Sequence, residues 1–286
     1  MDTDEKSAEE RLAAALEAGI DWDASKESCI EEALAAWSPR LLEDARFPDA
    51  HKLLKRFDHE VEVWRSKKHQ GFTFRQVVNF GNEVAAAVGL LDHVTNLETL
   101  HYEPRIPGVR KSLDFLLLDG NGNRVWVDVK TVAPQWVDDE PEWQRFLAIA
   151  RDFPRNARFG VQRKFGGAGL AGQAIKTRWS FVSRTLEVEE KAALIPESLR
   201  GPVTLLFCSN RFDWHPDDLE DFADLYRTGR FREDDWSRNE VLRYMREVKG
   251  KSFARTLSGF HHLRRRHDEA AFDLRFNMRG PSFFAP

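Results

Sequence analysis

The stretch SLDFLLLDGNGNRVWVDVKT, Ser112 to Thr131, decides the fold. Two apolar-rich runs, Leu113 to Leu118 and Arg124 to Lys130, flank the segment Asp119-Gly120-Asn121-Gly122-Asn123. Those five residues tolerate left-handed backbone, so the stretch predicts a β-hairpin. Closing it on that loop pairs Leu118 with Arg124, Leu116 with Trp126 and Asp114 with Asp128. Side chains alternate along a strand. Leu113, Phe115, Leu117, Val125, Val127 and Val129 therefore share one apolar face, while Asp114, Asp128 and Lys130 share the other. Like charges at directly opposed positions destabilise a sheet. A facing carboxylate pair is thus expected to serve a cation.

Upstream, Phe74 to Leu91 predicts a helix that is apolar on nearly all sides and hence buried. Glu83 lies within it, and a bare buried charge is costly. Two readings stand: Glu83 belongs to the same cation site, or it is paired with an Arg or with the helix N-terminus near Asn79. The order helix with Glu83, then Asp114-x13-Asp128-Val129-Lys130, resembles the signature of the PD-(D/E)xK superfamily, the restriction-endonuclease-like nucleases. Leu113 stands where that signature has proline. The resemblance implies an αβββαβ core, a mixed central sheet flanked by helices. It also implies a Mg²⁺ ion, with Mn²⁺ able to substitute, held by Asp114, Asp128, the Val129 carbonyl and Glu83. Catalysis would rest on Asp114, Asp128, Lys130 and Glu83, with Lys130 orienting or deprotonating the attacking water.

The 286 residues allow one large domain or a core with an added helical piece, and 42% hydrophobic residues support a packed interior. No apolar run approaches the roughly 18 residues of a membrane span. The acidic start Met1-Asp2-Thr3-Asp4-Glu5 lacks the features of a signal peptide, so the cytoplasm is the expected compartment. Cys29 and Cys208 make no metal or redox spacing. The net charge of −4 does not by itself suggest a nucleic-acid binder, but its distribution does. From Arg145 to Arg184 nine basic residues meet a single acid, Asp152. Such local clusters drive phosphate binding. Arg155, Arg158, Arg163, Lys164, Lys176 and Arg178, with Arg110 and Lys111 just before the hairpin, are the expected nucleic-acid contacts; a solvated helix face is the plainer alternative.

Residues 1–70 read as an acidic helical extension suited to packing or to docking a partner protein, with a capping box opening at Ser7 and short helices over Ser28 to Trp37 and Pro39 to Ala45. Residues 71–210 read as the nuclease-like core. Within it fall a strand at Leu97 to Tyr102, a flexible loop at Gly166 to Gly172, a helix at Trp179 to Leu194 and a buried strand at Pro202 to Cys208. Residues 211–286 read as a helical region packed on that core, with helices over Phe212 to Tyr226 and Trp236 to Lys249 and a tail of no clear period. Two patterns imitate metal sites. Asp119, Asn121 and Asn123 open like an EF-hand loop, yet Arg124 fills the obligatory Gly place and Lys130 the bidentate Glu place. His261, His262 and His267 surround Arg264-Arg265-Arg266, and a basic surface strip accounts for them better than zinc.

The sequence thus points to an α/β protein that hydrolyses phosphodiester bonds of nucleic acid with Mg²⁺, DNA ahead of RNA and endonuclease ahead of exonuclease. Restriction or phage defence is the setting the superfamily suggests. The rival reading is a catalytically silent nuclease-fold subunit, binding nucleic acid or serving a structural role in a larger complex.

Overall fold

The structure is a computed structural model that describes residues 22–67, 75–109, 112–131, 170–209, 216–230, 241, 243–245, 250–265 and 272–275. Three helices come first: α1 (Trp22–Glu43), α2 (Ala50–Lys67) and α3 (Arg75–His93). Strands β1 (Leu97–Tyr102), β2 (Phe115–Asp119) and β3 (Arg124–Thr131) follow, then helix α4 (Leu170–Ala192) and strand β4 (Val203–Ser209). Helix α5 (Pro216–Thr228) and strands β5 (Gly259–Arg265) and β6 (Phe272–Arg275) complete the chain order. The strands form one mixed sheet in the order β1-β2-β3-β4-β5-β6. β1, β2 and β3 are an antiparallel meander, β3, β4 and β5 run parallel, and β6 returns antiparallel to β5.

The hairpin register is the expected one: Leu118 pairs with Arg124, Leu116 with Trp126 and Phe115 with Val127. Asp119 closes the loop by accepting from the backbone N–H groups of Asn121 and Asn123 and from the Asn123 side-chain amide. Gly122 takes φ +78°, so the EF-hand imitation is a turn stabilised by its own Asp. Residues Val125 to Val129 are all buried, as a central strand covered on both faces requires. Parallel pairing of β3 with β4 places the crossover helix α4 on the second face, where a helix normally covers a parallel pair. Gly201 admits β4 to its place, since a Cβ there would sit 2.6 Å from the Arg124 carbonyl oxygen.

Two apolar layers sandwich the sheet. On one face Phe115, Leu117, Val125, Val127 and Val129 pack with α1, α2 and α3 in a single core. On the other, Trp126, Leu205, Phe207 and Phe260 pack with Phe181 of α4 and Phe222 of α5. The acidic N-terminal helices are thus continuous with the core of the sheet. The turn between α1 and α2 also covers its β1 edge: the Leu100 N–H donates to the Arg46 carbonyl and the Tyr102 N–H to Asp49. An exposed edge would invite pairing with other chains.

Several expectations are corrected. The two short helices around Pro39 are one helix, α1, with Pro39 inside it. Ile30, Ala33, Trp37 and Leu41 bury a single continuous face across the proline, and that packing outweighs the missing hydrogen bond. Leu170, Ala171 and Gly172, read as the end of a flexible loop, form the first turn of α4; residues 166–169 lie outside the described residues. The C-terminal region, expected to be helical, adds β5 and β6 to the sheet. In β5 the consecutive residues Gly259, Phe260 and His261 are all buried, as is Leu263, so these positions show no alternation to read. His261 is therefore no part of a basic surface strip; burial pushes its imidazole down to about 3, leaving it neutral. The capping box at Ser7 lies outside the described residues.

Candidate active site

The site lies at the end of the sheet where β1 and β3 finish and β2 begins. Asp114 immediately precedes β2, and the register carried one residue beyond Phe115–Val127 sets it opposite Asp128. The Glu103 N–H donates to the Asp114 carbonyl at 2.7 Å, which extends the β1–β2 pairing and pins the residue. The Asp114 carboxylate in turn accepts the Val129 N–H at 2.7 Å. Val129, expected to offer its carbonyl, thus meets the site through its amide.

Asp128 is fully buried, facing the α4 layer, and two ammonium groups hold it. Lys130 Nζ lies 2.5 Å from Oδ1 and Lys191 Nζ lies 2.7 Å from Oδ2. The Lys130 contact is an ion pair outside hydrogen-bond geometry, so buried Oδ1 carries no hydrogen bond. Glu187, one turn before Lys191 on α4, lies 3.3 Å from Lys130 and 3.3 Å from Arg184. The salt bridges therefore interlock: Asp128 and Glu187 share Lys130 and Lys191.

Glu83 approaches from the opposite helical layer. The Asn82 side-chain amide donates to Thr131 Oγ1 at 2.8 Å, docking α3 on the end of β3. The next residue, Glu83, accepts the Tyr102 hydroxyl at 2.6 Å. Arg56 stands close enough to favour its ionised form, but Arg56 is itself paired with Glu103. Glu83 thus has an arginine nearby, and its charge acts on Asp114.

Electrostatics ties these groups into one unit. Burial, then the Asp128 and Glu83 carboxylates, push the Asp114 carboxyl well above the usual range. Burial pushes Glu83 up to about 7, against the Tyr102 hydrogen bond and the Arg56 charge. Burial opposes the Lys130 ammonium, but Asp128, Asp114 and Glu187 outweigh it and raise its pKa. Glu187 is held below the usual range because Lys130, Arg184 and Lys191 overcome its partial burial. Perturbed, mutually coupled groups at a strand end are a functional-site signature.

Three carboxylates supply the oxygen donors that a hard divalent cation takes. Burial and like-charge repulsion already load Asp114 and Glu83 with the strain such an ion would relieve. In the arrangement described, Asp128 is turned toward ammonium groups. Among the described residues no three His, Cys, Asp or Glu side chains gather closely enough to enclose a metal. The donor set fits the ion in kind, and ligation would require Asp128 to exchange an ammonium for it.

The structure brings together Asp114, Asp128, Lys130 and Glu83. Arg110, Lys111, Arg155, Arg158, Arg163 and Lys164 lie outside the described residues. Lys176 and Arg178 fall in the N-terminal half of α4, where the backbone alone is described. Sequence reasoning missed Tyr102, Glu187 and Lys191. At i,i+4 spacing on a helix, Glu187 and Lys191 carry no mark of a site, and only the packing of α4 on β3 reveals their direction. Tyr102 did carry a signal: the chain has 3 tyrosines against 21 phenylalanines. Each tyrosine hydroxyl bonds a polar helix side chain, Tyr102 to Glu83, Tyr226 to Glu189 and Tyr244 to Ser183.

No helix among the described residues is long and apolar enough to cross a membrane. Searches against protein-family models, curated proteins and solved structures return no match to the chain.

Proposed function

We propose that this chain is a Mg²⁺-dependent nuclease of the PD-(D/E)xK kind, cutting DNA in preference to RNA and internally in preference to ends. One observation carries the reading: Asp114 and Asp128, each next to the paired residues Phe115 and Val127, bring repelling carboxylates together, with Lys130 two residues on along β3. The connectivity supports it, since a Glu-bearing helix, an antiparallel three-strand meander, a crossover helix and a parallel strand follow in the αβββαβ order.

Asp114, Asp128 and Glu83 are the residues that would hold the ion. Bound there, Mg²⁺ would polarise the scissile phosphate and lower the pKa of water. The chain's own groups divide the remaining work. Lys130 stays an ammonium at neutral pH because three carboxylates surround it. Its role is therefore to stabilise charge developing on phosphate, and proton removal falls elsewhere. Glu83, raised to about 7 by burial in the ion-free site, would release that proton on binding the ion and serve there as a carboxylate donor. Tyr102 fixes the orientation of that carboxylate.

A second reading keeps the fold and drops the chemistry, and the two ammonium groups on Asp128 favour it, because they neutralise the site without an ion. Single-turnover digestion of labelled duplex and single-stranded DNA and RNA, with Mg²⁺, Mn²⁺ or EDTA, separates the two. Wild type should cleave with metal only. Lys130→Ala should lower the rate per folded molecule by about 10²–10³, the cost of losing one preorganised charge stabiliser. Folded wild type that cleaves none of these substrates would leave only the structural reading standing.

A further inference from the structure

The sequence pattern assigns one lysine to the site, and the structure contains two. α4 presents Arg184, Glu187 and Lys191 on one face, at spacings of three and four residues, to the end of β3. Lys191 Nζ donates to Asp128 Oδ2 at 2.7 Å and lies 4.0 Å from Glu187 Oε1. Its side chain is 14% exposed and that of Asp128 is 0% exposed. A single buried carboxylate does not need two ammonium groups. Desolvating a second lysine beside the first is costly unless other negative charges share it. The charges available to share it are Asp114 and Glu83, which burial disfavours as anions, and the partly exposed Glu187.

We infer that Lys191 is a resident counter-cation of the Asp114–Asp128 pair: its ammonium occupies the Asp128 oxygen that a divalent ion would take, and it transfers to Glu187 when the ion binds. The inference rests on the cation site proposed above. The geometry supplies each requirement. The occupied atom, Oδ2, is on the carboxylate that faces Asp114. The alternative partner is already in contact range, 4.0 Å away and one helical turn back on the same helix. Glu187 is 42% exposed, so a lysine moved onto it is better hydrated than on Asp128. A lysine stem is long enough and loose enough for the move. Lys130 already lies nearer Glu187, at 3.3 Å, and so gains less from the same exchange.

Such a lysine is a competitor that lowers the apparent metal affinity of the site. Removing it should tighten binding, whereas removing a merely structural lysine should loosen it or leave it unchanged. The test is titration of full-length protein with Mn²⁺, following the free ion by EPR, with thermal melts of the same samples. Wild type, Asp128→Asn, Lys191→Met, Glu187→Gln and Lys191→Met/Glu187→Gln are compared. Lys191→Met should bind Mn²⁺ tighter by roughly tenfold, within the usual range of coupling between competing ligands. It should also show a larger metal-induced rise in melting temperature. Glu187→Gln should weaken binding, since the displaced ammonium loses its destination. That weakening should largely vanish in the double variant, as a coupled pair requires.

Binding by Lys191→Met that is equal to or weaker than wild type overturns the inference while the cation site stands, provided Asp128→Asn abolishes binding. Binding detected in Lys191→Met alone supports it most strongly. Absence of Mn²⁺ binding in every folded variant overturns both the inference and the site. Should Lys191→Met fail to fold, Glu187→Gln decides the matter, and an unchanged Mn²⁺ affinity there refutes the transfer.

Discussion

Replacing Glu83 by Gln removes the group whose protonation the fold alters with the clearest sign. Burial raises the Glu83 carboxyl from 4.5 to about 7, the Tyr102 hydroxyl and the Arg56 charge pulling the other way. The native protein therefore keeps this proton across a pH window in which the unfolded chain has released it. Stability must fall as pH rises from about 4.5 to about 7, and then level off. At 1.36 kcal/mol per pH unit, the fall is on the order of 3 kcal/mol. Glutamine keeps the shape and the acceptor for Tyr102 but cannot ionise. Wild type and Glu83→Gln should thus be similarly stable near pH 4.5, with the variant gaining through neutrality and leading by up to that amount at pH 8. Because Asp114 senses the Glu83 charge, the gain should spread over more than one pH unit. Urea unfolding of the full chain between pH 4.5 and 8.5, in EDTA, measures it. A difference between the two proteins that stays flat across the window would refute the argument, and so would wild type gaining relative stability with pH.

Two further outcomes test other parts of the structure. Glu189, buried on α4, accepts the Tyr226 hydroxyl and the backbone N–H groups of Ala254, Arg255 and Thr256 ahead of β5. Glu189→Ala strands those donors and should cost roughly 3 kcal/mol, read as a lower urea midpoint at unchanged slope; a change below about 0.5 kcal/mol would show the clamp to be redundant. Replacing Arg158, Arg163 and Lys164 together by Ala should weaken DNA binding of any sequence and flatten its log–log salt slope by about 0.9 for each phosphate no longer neutralised; an unchanged slope would place the phosphate-binding surface elsewhere.

What the sequence revealed about the fold follows from range. The hairpin is local: five loop residues and the alternation around them fix its register to the residue, and Leu118–Arg124 and Leu116–Trp126 pair as expected. β1 is bounded as the sequence indicated, at Leu97 and Tyr102, because prolines end it nearby. Legibility fails where tertiary packing overrides a local signal. Pro39 should break a helix, yet the buried stripe from Ile30 to Leu41 carries α1 through it. β5 is hidden for the opposite reason. Buried residues in succession, Gly259 to His261, lack the alternation that identifies strands, and Arg264 and Arg265 at its end make the strand look like polar surface.

The candidate site divides along the same line. Asp114, Asp128 and Lys130 are visible because the hairpin that carries them is local. Glu83 is visible because a carboxylate stands out in an apolar helix. Lys191 and Glu187 are invisible because only the docking of α4, more than fifty residues downstream of β3, turns that face of the helix toward Asp128. The difference bears on function. With the visible residues alone, the site has three carboxylates and one lysine, a surplus of negative charge that calls for a divalent ion. With Lys191 included, the described cluster is closer to balance, since burial disfavours the Asp114 and Glu83 anions and the two ammonium groups face Asp128 and Glu187. On the proposal made above, an ion would compete for Asp128 with a side chain of the same protein. Metal affinity would then depend on the packing of α4 as much as on the hairpin motif.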